Sequence, residues 1–186
     1  MLRRNARNAA ALDAGINKAC EAELTVVSCD SSGFSKRTHE HGIIEFMDNM
    51  VKCHCALEKI VARHGGITLS DKADNLMLIF EEPVKAAACA IEMQRWLKKR
   101  NRTVPELKKY NVCIGIHHGR LLRFTNDAYG PAVNVAFKLG EDIAGKDELL
   151  VTGQVNESIK NKFNTEYTKH ITIGGLTFDV YKVKFR

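Results

Sequence analysis

The sequence predicts an α+β sandwich, with helices laid over one face of a single sheet. Short apolar runs with strand character, at 24–27, 67–69, 76–80, 112–116, 149–151, 171–173 and 177–183, are bounded by turn residues. Between them lie longer stretches with apolar residues at helical spacing, about 41–64, 82–99 and 131–143. The two kinds of segment mix without strict alternation, which favours the α+β class. With 186 residues, 45% of them apolar, the chain suffices for one domain with a sizeable core. No internal repeat or low-complexity tract divides it, so residues 23–186 are expected to fold as one unit behind a lead-in at 1–22.

That lead-in opens Met1-Leu2-Arg3-Arg4-Asn5-Ala6-Arg7 and continues as an Ala-rich helix over about 9–23, entering from a longer protein. The acidic Asp13 and Glu21 argue against a transit peptide. Leu24-Thr25-Val26-Val27 is the first buried strand, and Asp30-Ser31-Ser32-Gly33-Phe34-Ser35 is the turn that follows it. Ile44, Met47, Val51, Leu57, Ile60 and Val61 trace one helical face, which Gly65-Gly66 ends. Next come a hairpin turning at Ala73-Asp74-Asn75 and a helix opened by Glu82-Pro83. Val112-Cys113-Ile114-Gly115-Ile116 is a further strand, with His117 at its end and His118 beyond, both read as packed or solvated histidines. A helix from Pro131 and a strand-rich tail complete the order.

Composition excludes several classes. No apolar run approaches the roughly 20 residues that span a bilayer. The net charge of +6 is modest, and its basic clusters, Lys98-Lys99-Arg100 and Lys108-Lys109, have no aromatic residues interleaved for base stacking. The cysteines Cys20, Cys29, Cys53, Cys55, Cys89 and Cys113 follow no framework spacing, so reduced thiols in a cytosolic setting are expected. Cys53-His54-Cys55 resembles half a zinc site, but no second ligand pair stands at suitable spacing.

The chemistry gathers on two turns. A strand ending in Asp30, followed by small residues and Gly33, offers a hard oxygen ligand and backbone N–H groups that can approach phosphate closely. Asp74 stands at the hairpin tip. Paired beside the first strand, the hairpin would bring Asp30 and Asp74 together, and two such carboxylates suit divalent-metal phosphoryl transfer.

Taken in order, these pieces resemble the catalytic domain of the class III nucleotidyl cyclases over about residues 23–183. Cys29-Asp30-Ser31-Ser32-Gly33-Phe34-Ser35 looks like the family's F-x-D-I-x-G-F-[ST] segment. His64-Gly65-Gly66 and Ala73-Asp74-Asn75-Leu76-Met77 look like its H-G-G and G-D-x-x-[ML] signatures. Ile114-Gly115-Ile116-His117-His118-Gly119 is similar to its I-G-I-H-x-G strand, and residues 129–139 to its G-x-x-V-N-x-A-x-R-L helix. The resemblance implies a ferredoxin-like sandwich on a mostly antiparallel sheet. It implies that Asp30 and Asp74 hold two divalent cations, Mg²⁺ or Mn²⁺, with the backbone of Ser31, Ser32, Gly33 and Phe34, and beside it Ser35, at the triphosphate. It places Asp127 at the adenine amino group, Asn134 at the ribose and Lys138 at the α-phosphate, in a head-to-tail homodimer with its sites at the interface.

The chain departs from the family at three positions. Ser70 stands where the family has an adenine-contacting Lys, with Lys72 close enough to take over. Ala73 replaces a Gly, and Lys138 replaces an Arg, losing the bidentate fork. The expectation is an ATP-to-cyclic-AMP cyclase in the cytoplasm. A nucleotide-binding or dimerising cyclase-homology module with little turnover and a guanylyl cyclase are the alternatives.

Overall fold

The structure, a computed structural model, describes residues 5–33, 38–39, 42–72 and 74–185; the expectations placed on Phe34, Ser35 and Ala73 lie outside them. In chain order the elements are α1 (Ala9–Cys20), β1 (Glu21–Ser31), α2 (Ile43–Arg63), β2 (Ile67–Lys72), β3 (Asn75–Phe80) and α3 (Pro83–Asn101). After a short 3₁₀ turn come β4 (Val112–Arg123), β5 (Ala128–Tyr129) and α4 (Pro131–Phe137), which runs into a π-helical turn (Lys138–Ile143). The chain closes with β6 (Leu149–Thr152), α5 (Gly153–Ile159), β7 (Thr165–Ile173) and β8 (Leu176–Val183).

The strands form one sheet in the order β2-β3-β1-β4-β6-β8-β7, with β5 added to β4. Every pairing is antiparallel except β4 with β6. This is the predicted α+β class on a mostly antiparallel sheet. One expectation is corrected: helices cover both faces. Val27, Cys29, Leu78, Ile114 and Val151 face α2, α3 and α5, while Val26, Met77, Ile79 and Leu121 face α4. Central strands covered on both faces read as unbroken apolar runs, which is why Leu76–Phe80 shows no alternation.

The strand borders also shift. Residues 21–23 belong to β1 rather than to the leading helix, since Glu21 pairs with Leu122 and Glu23 with Arg120. The same ladder carries β4 past His117 and His118 to Arg123. The short β5 and α5 have too few residues to show a period.

Two glycines explain motif positions. Gly65, at φ +71°, ends α2 in the left-handed conformation, and the Gly66 N–H donates to the Val61 carbonyl at 3.0 Å. Gly115 lies directly under the junction of α4 and the π turn. A Cβ there would overlap the Ala136 carbonyl oxygen and the Gly140 nitrogen.

Candidate active site

β3 pairs with β1 up to Cys29↔Leu76, and Lys72↔Asn75 is the last pair of the hairpin. These registers deliver the hairpin tip to the end of β1. There the Ser31 hydroxyl donates to Asp74 Oδ2 at 2.8 Å. Glu141 from the π turn is a third carboxylate at this place, held by the Asn75 side-chain amide at 3.0 Å.

The electrostatics follow from crowding. Burial, then Asp74 and Glu141, pushes the Asp30 carboxyl up to about 6, against one backbone hydrogen bond from Ser31. Burial, with Asp142 and Asp74 beside it, raises Glu141 as well. Because Asp30 binds its proton more tightly folded than unfolded, its contribution to stability is complete below about pH 4 and is lost as the pH rises through about 6. The loss is at most about 3 kcal/mol, and water around this half-buried group reduces it. Asp30→Asn should flatten the melting temperature of the metal-free protein across this window. An unchanged slope would show that burial and the neighbouring carboxylates do not raise Asp30.

Among the described residues no cluster of three or more His, Cys, Asp or Glu side chains stands ready to hold a metal. The donor set instead suits a hard cation. Asp30 and Asp74 offer carboxylate oxygens of the kind a divalent cation prefers, and their repulsion would be relieved by positive charge.

At the neighbouring turn Gly33 takes φ +85°. The Ser32 N–H is already engaged, donating to the Asn111 carbonyl at 2.9 Å, so it is not free for a phosphate oxygen in this conformation.

A second group forms on the sheet face that carries α4. Ser70 is half-buried opposite Met77, beyond a β-bulge at Thr68/Ser70. Two residues on, Lys72 Nζ reaches Asp127 Oδ2 at 3.4 Å. Asp127 also accepts from the Tyr129 hydroxyl at 2.8 Å and from the Ala128 N–H at 2.9 Å. Tyr129 first, then Ala128 and Lys72, hold its carboxyl below the usual range, so it stays an acceptor. Sequence reasoning missed Tyr129, although its place two residues after Asp127 was the available signal. It missed Glu141 too, because a π turn displaces side chains from the regular helical face.

Asn134 does not join these groups within one chain. Asn134 lines a cavity of about 350 Å³ with His117, Gln154, Leu176 and Phe178, and neither Asp30 nor Asp74 borders it. Lys138 is ion-paired with Asp142. His117 is buried in β4, its Nδ1 2.9 Å from Thr152 Oγ1, and burial beside His118 lowers it to about 4. It is therefore a neutral, packed histidine. His118 Nδ1 lies 2.9 Å from Thr25 Oγ1.

The zinc-like triplet is divided by the helix. Cys53 is buried, Cys55 is exposed, and both ring nitrogens of His54 have partners. All six cysteines are free thiols. Among the described residues no helix is long and apolar enough to cross a membrane.

No family model matches the chain. Over 139 residues it is 30% identical to the serine/threonine-protein kinase pkn2 of Myxococcus xanthus, covering 72% of this chain and 16% of that protein. Over 142 residues it is 22% identical to the putative adenylate cyclase 3 of Rhizobium meliloti, covering 76% of this chain and 24% of that protein. The chain thus spans less than a quarter of either relative's length. Among solved structures it is similar to the adenylyl cyclase CyaB from P. aeruginosa, with a TM-score of 0.77 and 21% identity over 89% of this chain and 95% of that one. The guanylyl cyclase Cya2 superposes with a TM-score of 0.79 at 17% identity, over 89% and 93% of the two chains. The catalytic core of a rhodopsin-guanylyl cyclase with converted specificity, solved with ATPαS, gives 0.79 at 19% identity, over 89% and 98%.

Proposed function

We propose, for a chain that has the fold of the class III nucleotidyl cyclase catalytic domains, that it is an adenylyl cyclase forming 3′,5′-cyclic AMP and pyrophosphate from ATP. One observation carries this reading: at one sheet end the hydroxyl of Ser31, the residue after Asp30, donates to Asp74 from the hairpin tip, and Asp74 is near enough to raise the Asp30 carboxyl.

In this reading Asp30 and Asp74 hold two divalent cations, Mg²⁺ or Mn²⁺. Bound there, the cations would favour ionisation of the ribose 3′-hydroxyl and neutralise the departing pyrophosphate. The 3′-oxygen forms a bond to the α-phosphorus, the bond from that phosphorus to the bridging oxygen breaks, and the hydroxyl proton leaves to solvent. Asp127, kept ionised by Tyr129 and Lys72, accepts from the exocyclic amino group of adenine. A guanine would turn its 6-oxo group toward that carboxylate and be repelled. Lys72, two residues from Ser70 and already beside Asp127, takes the place of the family Lys. Asn134 orients the ribose, and Lys138 leaves Asp142 to meet charge developing at the α-phosphate.

Asn134 lines a cavity apart from the carboxylate pair and Lys138 is engaged by Asp142, so this reading takes a head-to-tail homodimer in which each chain supplies half of each site. The domain, residues 23–186, works in the cytoplasm as part of a longer protein with an upstream regulatory region.

A second reading is a regulatory module with little turnover. It is favoured by Ser70, by the engaged Lys138, and by the fact that a relative sharing 30% identity bears the name of a kinase rather than a cyclase.

The test is product formation from ATP and from GTP with Mn²⁺, which tolerates imperfect coordination. Cyclic AMP rising with the square of dilute protein concentration is the expected result. Asp127→Ala should lower the preference for ATP over GTP by about tenfold or more, the worth of one directed hydrogen bond to a charged group. Cyclic GTP as the main product of the unaltered chain would overturn the adenine reading. Nucleotide binding without any product would favour the module.

A further inference from the structure

α2 buries a histidine. His54 is 2% exposed, among the core residues Cys53 and Leu57. A polar ring in such a place is costly unless both nitrogens are satisfied. Its Nδ1 lies 2.9 Å from Asp71 Oδ1 on β2, and its Nε2 lies 2.9 Å from the Tyr110 hydroxyl. The Asp71 carboxylate accepts, so Nδ1 carries the proton and Nε2 accepts from Tyr110.

Tyr110 is a rigid anchor. It is 1% exposed, and its ring meets the His54 ring edge-on at 5.8 Å. Its backbone is held at both ends by the Asn101 side chain, at 3.0 Å to the N–H and 2.8 Å to the carbonyl. Burial raises its hydroxyl, keeping it a donor.

Asp71 is the residue before Lys72, whose pairing with Asn75 closes the hairpin around Asp74. The tip is thus held from opposite faces of the sheet, by His54 through Asp71 and by Glu141 through Asn75. A histidine serving only the interior, with Tyr110 on Nε2, could have taken its Nδ1 partner from within α2. This one reaches out to a partly exposed aspartate three residues from Asp74.

We propose that His54 is a positioning residue: through Asp71 it fastens the β2–β3 hairpin to α2 and Tyr110, and so holds Asp74 where it shares a cation with Asp30. The inference rests on the metal assignment of the preceding section and extends it to a residue that touches neither cation nor nucleotide. Residues that orient metal ligands commonly change affinity by 10- to 100-fold when removed.

The test uses the whole chain with Mn²⁺ alone as probe, following the free-ion electron paramagnetic resonance signal. His54→Phe keeps a planar aromatic ring and cuts both hydrogen bonds. Asp71→Ala cuts only the link to the hairpin, on a residue exposed enough for the fold to survive its loss. Each should weaken Mn²⁺ binding by about tenfold. The double variant should be no weaker than either single one, because both remove the same link. His54→Asn, whose amide can take the place of Nδ1–H, should restore part of the affinity. A folded Asp71→Ala protein with unchanged Mn²⁺ affinity would overturn the proposal, whatever its melting temperature.

If the unaltered chain binds no Mn²⁺, the metal assignment fails, and hydrogen exchange at the Asn75 and Leu76 amides decides the anchoring. Faster exchange in Asp71→Ala supports it, and identical protection overturns it.

Discussion

Replacing Asp30 with alanine is expected to cut cyclic nucleotide formation by on the order of 10³-fold or more, while the protein at pH 7 stays as stable as before or becomes more so. The two effects have one origin. Burial and the neighbouring Asp74 and Glu141 make the ionised Asp30 carboxylate unfavourable in the fold, so removing it relieves strain on the metal-free chain. The same crowding would draw a divalent cation to the site. Asp74→Ala should match the loss of activity without the gain in stability, because the Ser31 hydroxyl then loses its acceptor. Product formation with Mn²⁺, set beside calorimetry of the metal-free variants, checks both statements. Substantial activity in either variant would remove these carboxylates from the mechanism. A large fall in stability for Asp30→Ala would make that residue structural.

Gly115→Ala is the second large effect, and it acts on folding. The added Cβ meets backbone atoms, the Ala136 carbonyl oxygen and the Gly140 nitrogen, where α4 and the π turn lie on β4. Side chains yield to an intruding methyl group, whereas backbone engaged in helix and sheet does not. The cost should reach about 3 kcal/mol or more, the upper part of the range for overpacking. In a domain of this size that lowers the melting temperature by about 10 °C. The displaced segment carries Asn134, Lys138 and Glu141, so activity should fall further than the loss of folded protein explains. A melting temperature within a degree or two of the unaltered chain would show that this contact is loose.

Much of the architecture was legible because the signals were local. Helical spacing marked α2 and α3, Pro83 and Gly65 marked a start and a stop, and apolar runs marked β3, β4 and β6. The misreadings have particular causes. Glu21-Ala22-Glu23-Leu24 continues an Ala-rich helical stretch and also alternates as a strand does. Pairing with Arg120 and Leu122 decides for the strand. The second helical layer was hidden because buried strands carry apolar residues on both faces, whichever elements cover them. The role of His54 had no local signal, since its partners Asp71 and Tyr110 lie 17 and 56 residues away.

The sequence by itself determined the class of fold and the hairpin that carries Asp74, because strand period, helix period and turn chemistry are properties of neighbouring residues, whereas Asp127, Asn134 and Lys138 stood out only through the family resemblance. Only the tertiary structure decided which of these groups meet: the bond from Ser31 to Asp74, the addition of Glu141, and the sharing of Asp127 between Lys72 and Tyr129. It also decided that Asn134 stands apart from the carboxylates, lining a separate cavity. Such meetings depend on sheet order and register, which are set by how all the strands bury their two faces at once.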